Sequence, residues 1–262
     1  MSAPALIHPT AQVDPQAVLG PGTRVDAFAV VGADVRIGTG CRLHAHSVVE
    51  GPTTMGEGNR VFPFACLGME PQDLKYAGER TTLVIGDRNV FRENVTVHRG
   101  TSGGGGETRI GSDNLLMAGT HVAHDCVVGD RIIFANGATL AGHVTVGDGA
   151  TIGAFTGVHQ FCRIGRHAYI GGYTVVTQDA PPFLLTVGGR DAATHGVNVI
   201  GLERKNFGAE SIQSLRAAYR TLFRSGLTLE ESTRRVRAEM GGQPDVMELV
   251  EFMAASKRGV IR

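Results

Sequence analysis

The chain of 262 residues has no tryptophan, only 4 cysteines and 6% aromatic residues. The cysteines show neither C-x-x-C spacing nor the density of a small secreted domain, which argues against a disulfide framework and a structural zinc site. No apolar run approaches the ~18 residues that span a bilayer. The opening MSAPALIHPT lacks a charged n-region and an apolar h-region. A cytoplasmic protein without stable membrane insertion is expected. Surplus charge is also missing: 25 Lys and Arg balance 25 Asp and Glu. That balance argues against a nucleic-acid binder, which needs a concentrated basic excess. Residues 1–200 carry 14 basic and 17 acidic side chains, whereas residues 201–262 carry 11 and 8, so the C-terminal segment is the better dock for an acidic partner.

What the chain does have is glycine, 37 residues, about twice the usual ~7% share. It also has a repeat. Stepping by six from Ile7 through Val13, Leu19, Val25 and onward to Leu67 meets eleven apolar residues without interruption. The period resumes at Ile85, Phe91 and Val97, and again from Ile110 to Val176. Four positions after many leading residues stands a small one, such as Ala11, Ala29, Cys41, Ser47, Cys126, Ala138 or Cys162. In a strand these two positions share a face while the residue between points away. Gly, Asp or Asn often follows the leading residue, as in VGD and IGSDN, and supplies a turn. Each hexad is thus one short strand and one corner. Three of them close an eighteen-residue triangular coil, giving a mainly β, parallel β-helix of roughly ten coils.

Two segments, 68–84 and 98–109, break the period and are expected to loop out of the rod. The run Gly103 to Gly106 lacks the G-K-[ST] and the strand-to-helix context of a phosphate-binding loop, and reads as a flexible connection. After QDAPPF the composition turns to helix formers. Ile212, Leu215, Tyr219 and Leu222 form one apolar stripe over about 209–225, TLEE at 228–231 is a capping box, and another helix follows Pro244. The expected domains are a β-helix over 1–188 and a small helical domain over 189–262.

His121 and His124 flank the buried Val122 at outward positions, and His143 and His159 recur one and two coils later on the same side. Two chemistries suit such a constellation. Neutral imidazoles on neighbouring coils could ligate zinc, as in a carbonic-anhydrase-like hydratase of this fold, although the spacing departs from that pattern. General-base catalysis suits it better, because an imidazole titrating near ~6.5 can accept a hydroxyl proton near neutrality while Asp125 orients it.

The segments QDLKYAGE (72–79), HRG (98–100), GSDNLLMAGTHVAHDC (111–126), TLAGHV (139–144), VHQFC (158–162), QDAPPF (178–183) and GVNVIGLERKNF (196–207) give the chain its specific resemblance. It resembles the acyl-carrier-protein-dependent UDP-N-acetylglucosamine O-acyltransferases that begin lipid A synthesis, over essentially its whole length. The resemblance implies a left-handed coil and a homotrimer with active sites between neighbouring rods. It implies His124 as general base, Asp125 as its support and the Gly142 N–H as oxyanion donor. It places Asp73, Lys75, His121, His143, His159 and Gln160 around the substrate, and Gly172 at the position that limits acyl length. Asn198 and Arg204 would reach the nucleotide or its phosphates, with Lys205 nearby.

No metal and no organic cofactor is implied beyond the phosphopantetheine arm of the donor. Arg216, Arg220 and Arg224, spaced i, i+4, suit docking of an acidic carrier protein. Two departures stand out: Ile200 where the family commonly has a nucleotide-contacting glutamate, and Met69 in place of an acidic residue before PQDLKYAGE. They leave open an acceptor with a 3-amine, which would give an amide.

Overall fold

The structure, a computed structural model, describes residues 4–262. Strands of two to five residues assemble into three sheets of 11, 9 and 8 strands. The chain visits them in rotation: Leu6–Ile7 lies in the first, Gln12–Val13 in the second, Val18–Leu19 in the third, and Arg24–Val25 in the first again. Parallel partners stand eighteen residues apart, as in Leu6↔Arg24, Gln12↔Val30 and Val18↔Arg36. The sheets are the three faces of a prism. We call the corner between first and second faces the first, that between second and third the second, and that between third and first the third.

The hexad explains the core. Leading residues from Val25 to Val176 are 0–3% exposed, and each such aliphatic side chain contributes roughly 1.5–3 kcal/mol by leaving water. Ile7 departs from the pattern at 49% exposed, because it lies in the first coil, where stacking on one side is lost. Cys41, Cys126 and Cys162 are buried as expected, and burial pushes the Cys126 thiol up to about 12.

One inward feature is not evident in the hexad. Asn59, Asn89 and Asn114 occupy the inward small position at the third corner and form a ladder along the axis. The Asn89 N–H donates to the Asn59 Oδ1 (2.9 Å) and the Asn114 N–H to the Asn89 Oδ1 (2.9 Å), while the side-chain amides donate to the carbonyls of Gly86, Gly111 and Gly129. What reads as turn chemistry is also a buried hydrogen-bonded column.

Both interruptions emerge at the second corner, and both are narrower than expected. Strand pairing continues through Cys66–Met69 and resumes at Thr82–Ile85; the second gap lies between Thr96–His98 and Glu107–Ile110. The protruding residues are therefore 70–81 and 99–106, since Met69 pairs with His98 and Thr82 with Glu107. The register records the insertions: Arg60 pairs with Val90 and Val90 with Leu115, before eighteen-residue steps return at Leu115↔Ile133.

The rod ends in a hairpin. Leu184–Val187 runs parallel to Tyr169–Ile170 and antiparallel to Ala193–Val197, so residue 188 falls in its turn. Four helices follow: α1 (Val199–Arg204), α2 (Ala209–Arg224), α3 (Leu229–Met240) and α4 (Pro244–Ala254). The stripe of α2 packs inward with Val236, Leu249 and Met253, and Thr228 and Glu231 form the reciprocal capping box. Ile261 joins the rod's own core at 3% exposed, and Arg166 of the rod is clasped by Asp245 and Glu248 of α4. No helix among the described residues is long and apolar enough to cross a membrane.

Candidate active site

The second corner places His124 outside the prism. Its side chain is 15% exposed, and its Nδ1 lies 2.7 Å from the Asp125 Oδ2. Asp125 sits at φ 61°, a left-handed conformation that Asp tolerates better than bulkier residues, and its side chain is fully buried. Its carboxylate accepts two further bonds from the second protruding loop, from the Thr101 N–H (2.8 Å) and the Thr101 hydroxyl (2.6 Å), while the Asp125 N–H donates to the Thr108 Oγ1 (2.8 Å). A carboxylate can only accept here, so the His124 Nδ1 carries a proton and, in the neutral ring, Nε2 holds the free lone pair.

Directly above lies Gly142. A Cβ at that position would stand 2.6 Å from the His124 Cε1 and 2.9 Å from its Nε2, so any side chain would displace the ring. The Gly142 N–H meets no acceptor among the described residues. His143 presents its ring edge-on to His124 (centroids 5.3 Å, 89°) and stacks on Phe161 (4.5 Å, 14°). Its Nε2 lies 3.7 Å from the Asp125 Oδ2. His124, Asp125 and His143 bring ligand atoms within 4.8 Å of one another, a group that could hold a metal ion. An ion there would displace the proton between His124 and Asp125.

A cleft of about 550 Å³ opens beside this corner, lined by Asp73, Lys75, Tyr76 and Glu79 of the first loop, by the turn following Thr101, and by His143 and Phe161. Asp73 and Lys75 thus reach the same cleft as His143. The Asp73 Oδ1 accepts from the Lys75 N–H (3.0 Å), which bends the loop and leaves the lysine exposed. Around the edge, on the second face, His121 bonds through Nδ1 to the Thr96 hydroxyl (2.7 Å) and packs edge-on against His98 (5.0 Å). Desolvation, and then the neighbouring His124 charge, lowers the pKa of His121. His98 is buried more deeply and falls to about 4, chiefly through desolvation, with His121 and His124 adding to it. His159 and Gln160 are exposed further along, with the His159 Nδ1 3.2 Å from the Arg258 guanidinium of the C-terminal tail.

The remaining expected site residues lie elsewhere on the same chain. Gly172 is at the first corner, next to Tyr173, where a Cβ would meet only the Ala154 carbonyl oxygen at 3.3 Å and backbone nitrogen at 3.7 Å. Asn198 and Lys205 are at the third: the Asn198 amide donates to the His167 carbonyl (3.2 Å) and the Lys205 ammonium to the Gly149 carbonyl. Arg204 is exposed beside them, and Ile200 is 64% exposed. Arg216, Arg220 and Arg224 line the outer side of α2, the first two bordering a groove with Glu203 and Gln213. One chain therefore gathers His124, Asp125, Gly142, His143, Asp73 and Lys75, but not the nucleotide-directed residues.

Sequence reasoning missed Thr101, Tyr76, Phe161 and Arg258. The first stands in a glycine-rich stretch that reads as flexible yet folds onto Asp125. Phe161 follows His143 by eighteen residues, a signal the coil period contains.

Comparison with known proteins covers nearly the whole chain. Residues 179–261 match the family Udp N-acetylglucosamine O-acyltransferase, domain 2, and residues 16–51, 107–142 and 143–178 match the bacterial transferase hexapeptide. The structure of LpxA from Acinetobacter baumannii is similar at 42% identity, covering 98% of this chain and 100% of that one, with a TM-score of 0.95. UDP-N-acetylglucosamine O-acyltransferase (LpxA) from Moraxella catarrhalis RH4 is similar at 41% identity (98% and 99% covered, TM-score 0.95). The Arabidopsis UDP-N-acetylglucosamine acyltransferase follows at 35% identity (98% and 100% covered, TM-score 0.85). The expected left-handed parallel β-helix with a small helical C-terminal part is borne out.

Proposed function

The chain belongs to the UDP-N-acetylglucosamine O-acyltransferase family, and from that premise we propose that it moves a 3-hydroxyacyl chain from acyl carrier protein to the 3-hydroxyl of UDP-N-acetylglucosamine, the first step of lipid A biosynthesis. The observation behind this reading is the His124–Asp125 pair, whose free Nε2 adjoins the Gly142 backbone and whose ring meets His143, a wall of the cleft that also holds Asp73 and Lys75.

The step follows from that geometry. His124 Nε2 takes the proton of the sugar 3-hydroxyl as its oxygen attacks the thioester carbonyl carbon. Asp125 keeps the ring in the right tautomer and offsets the charge it gains. Negative charge gathers on the carbonyl oxygen, where the uncommitted Gly142 N–H stabilises it. The C–S bond then breaks, and the imidazolium returns its proton to the departing thiolate. Lys75 and Asp73 hold sugar and acyl groups at the cleft. His121, kept neutral by burial, donates or accepts hydrogen bonds without adding a competing positive charge.

Asn198, Arg204 and Lys205 stand at another corner of the rod and serve the site of a neighbouring copy in a homotrimer. Gly172 limits the acyl length, and His159 and Gln160 stand around the substrate with His121 and His143. Arg216, Arg220 and Arg224 receive the carrier protein. The exposed Ile200 offers no hydrogen-bond acceptor to the nucleotide, so the acceptor sugar must be tested.

The deciding experiment offers the purified protein UDP-N-acetylglucosamine and its 3-amino analogue with carrier proteins bearing a range of 3-hydroxyacyl chains, and weighs the products. An ester on the 3-hydroxyl is expected, and its loss in His124→Ala with the trimer intact. Transfer retained by that variant would reject His124 as base. An amide as the sole product would reject the hydroxyl acceptor. Carbon dioxide hydration by zinc-loaded protein, without acyl transfer, would reject the acyltransferase reading.

A further inference from the structure

The loop 99–106 is held along its length. Arg99 donates to the carbonyls of Gly51 (2.8 Å) and Gly68 (2.7 Å). The N–H groups of Gly104 and Gly106 both return to the Thr101 carbonyl (3.0 and 2.8 Å), closing a tight turn. Gly100 and Gly106 bond to Thr82 at the base of the other loop, and the Ser102 hydroxyl donates to Glu79 (2.8 Å). The glycine run has a steric cause here: a Cβ on Gly104 would stand 2.0–2.3 Å from the Asp125 carboxylate atoms. Thr101, 6% exposed, is lowered onto that carboxylate by a turn that only a residue without a side chain can close at position 104.

We infer that Thr101 is a positioning residue for the base. Its N–H fixes the Asp125 Oδ1 and its hydroxyl fixes Oδ2, the oxygen that also receives the His124 Nδ1–H. With both oxygens held, the carboxylate cannot turn about its last torsion, and the imidazole it grips keeps Nε2 beside the Gly142 backbone. Without the hydroxyl, Oδ2 keeps only the His124 Nδ1–H while the backbone bond to Oδ1 persists, and the ring loses its fixed bearing though it remains in place. The Ser102–Glu79 contact ties this support to the loop carrying Asp73 and Lys75. The inference rests on the proposed role of His124 and deepens it.

Replacing Thr101 by valine keeps its shape and its backbone N–H and removes only the hydroxyl. Thr101→Val is expected to lower kcat about ten- to a hundredfold, the size of a lost hydrogen bond to a charged group, with KM for the sugar nucleotide changed less than about threefold. Thr101→Ser restores the hydroxyl and is expected to return kcat to within about threefold of the parent. Gly104→Ala, which drives a methyl into the carboxylate, is expected to lower kcat in the same way. An unchanged kcat in Thr101→Val, or a raised KM at constant kcat, overturns the inference, as does a serine variant no better than the valine one. If the valine variant does not fold, the serine and Gly104→Ala variants decide by the same two readings. His124→Ala separates the two claims: if it is inactive while Thr101→Val is normal, only the positioning role fails; if it is active, the base assignment fails on its own.

Discussion

Two corners of one prism bury polar residues at adjoining stations of the hexad, the inward small position at one and the residue before that position at the other, and use them oppositely. At the third corner the ladder of Asn59, Asn89 and Asn114 turns inward and closes its hydrogen bonds on neighbouring coils. At the second, Asp125 is just as buried and as fully bonded, but the His124 it holds keeps its other nitrogen beside Gly142, its ring against the His143 that lines a cleft. Burial is shared; the backbone differs, since Asp125 is left-handed at φ 61° and the three asparagines are not, and so does whether the last hydrogen-bonding site is satisfied inside the wall. Buried polar groups with every partner present rigidify a fold. One group left open at the edge of such a network is free to do chemistry.

That contrast breaks most sharply by exchanging damage. His124→Ala should reduce acyl transfer by ~10²–10⁴ or more while the melting temperature moves little, since the side chain lies outside the core. Asn89→Leu should do the reverse. It strands the Asn114 N–H and the Gly111 carbonyl in a buried column and leaves the Asn59 Oδ1 only the backbone N–H of residue 89, and a loss of about 3 kcal/mol or more is expected, with kcat of the surviving folded protein near normal. Denaturant melts beside initial rates measure both. A large fall in kcat from Asn89→Leu would mean that the two corners are coupled.

The rod was legible because a hexad is a strict one-dimensional code. Leading residues as different as Met55, Phe91 and Val158 all face inward because a one-residue slip would expose them. The histidine constellation was legible for the same reason, since coil period converts sequence distance into adjacency. Three things were not. The loop margins moved because β pairing persists wherever a partner strand lies alongside, as at Met69↔His98. The asparagine column was hidden because Asn has one composition whether it turns a chain or fills a wall. Thr101 was hidden because glycine reports permissiveness, and only the fold tells whether that freedom is spent on motion or on a close approach to Asp125.

Histidines also mark the contrast through pH. His98 and His167 are buried, each has an Nδ1 without a partner among the described residues, and each has its pKa lowered to about 4, chiefly by desolvation; nearby positive charges, Lys205 and Arg166, also lower His167. Their unfolded value is near ~6.5, so the unfolded chain binds protons first. Stability from these groups is therefore complete above about pH 6.5 and is lost as pH falls from there through 4, by up to ~3 kcal/mol each. Equilibrium unfolding from pH 7.5 to 4.5 should show that decline, and His98→Gln should flatten part of it. An unchanged slope in that variant would show that His98 is not buried in its neutral form.

The smallest effect is expected where the chain meets solvent. Arg216, Arg220 and Arg224 are exposed along α2, and the Arg224 guanidinium lies over the Tyr219 ring at 5.7 Å, leaving the first two freer to meet a partner. Exposed charges steer encounter and are screened within a Debye length of ~8–10 Å, so they set capture of an acidic donor and leave chemistry alone. Arg216→Glu with Arg220→Glu should raise KM for acyl carrier protein about tenfold at low salt and much less at high salt, with kcat preserved. Arg224→Glu should do less. Transfer from acyl-phosphopantetheine, which carries the thioester without the protein, should be unaffected by either change. If that small donor is impaired equally, the arginines act through the helical domain's fold and not through charge, and the docking face must be sought elsewhere on the rod.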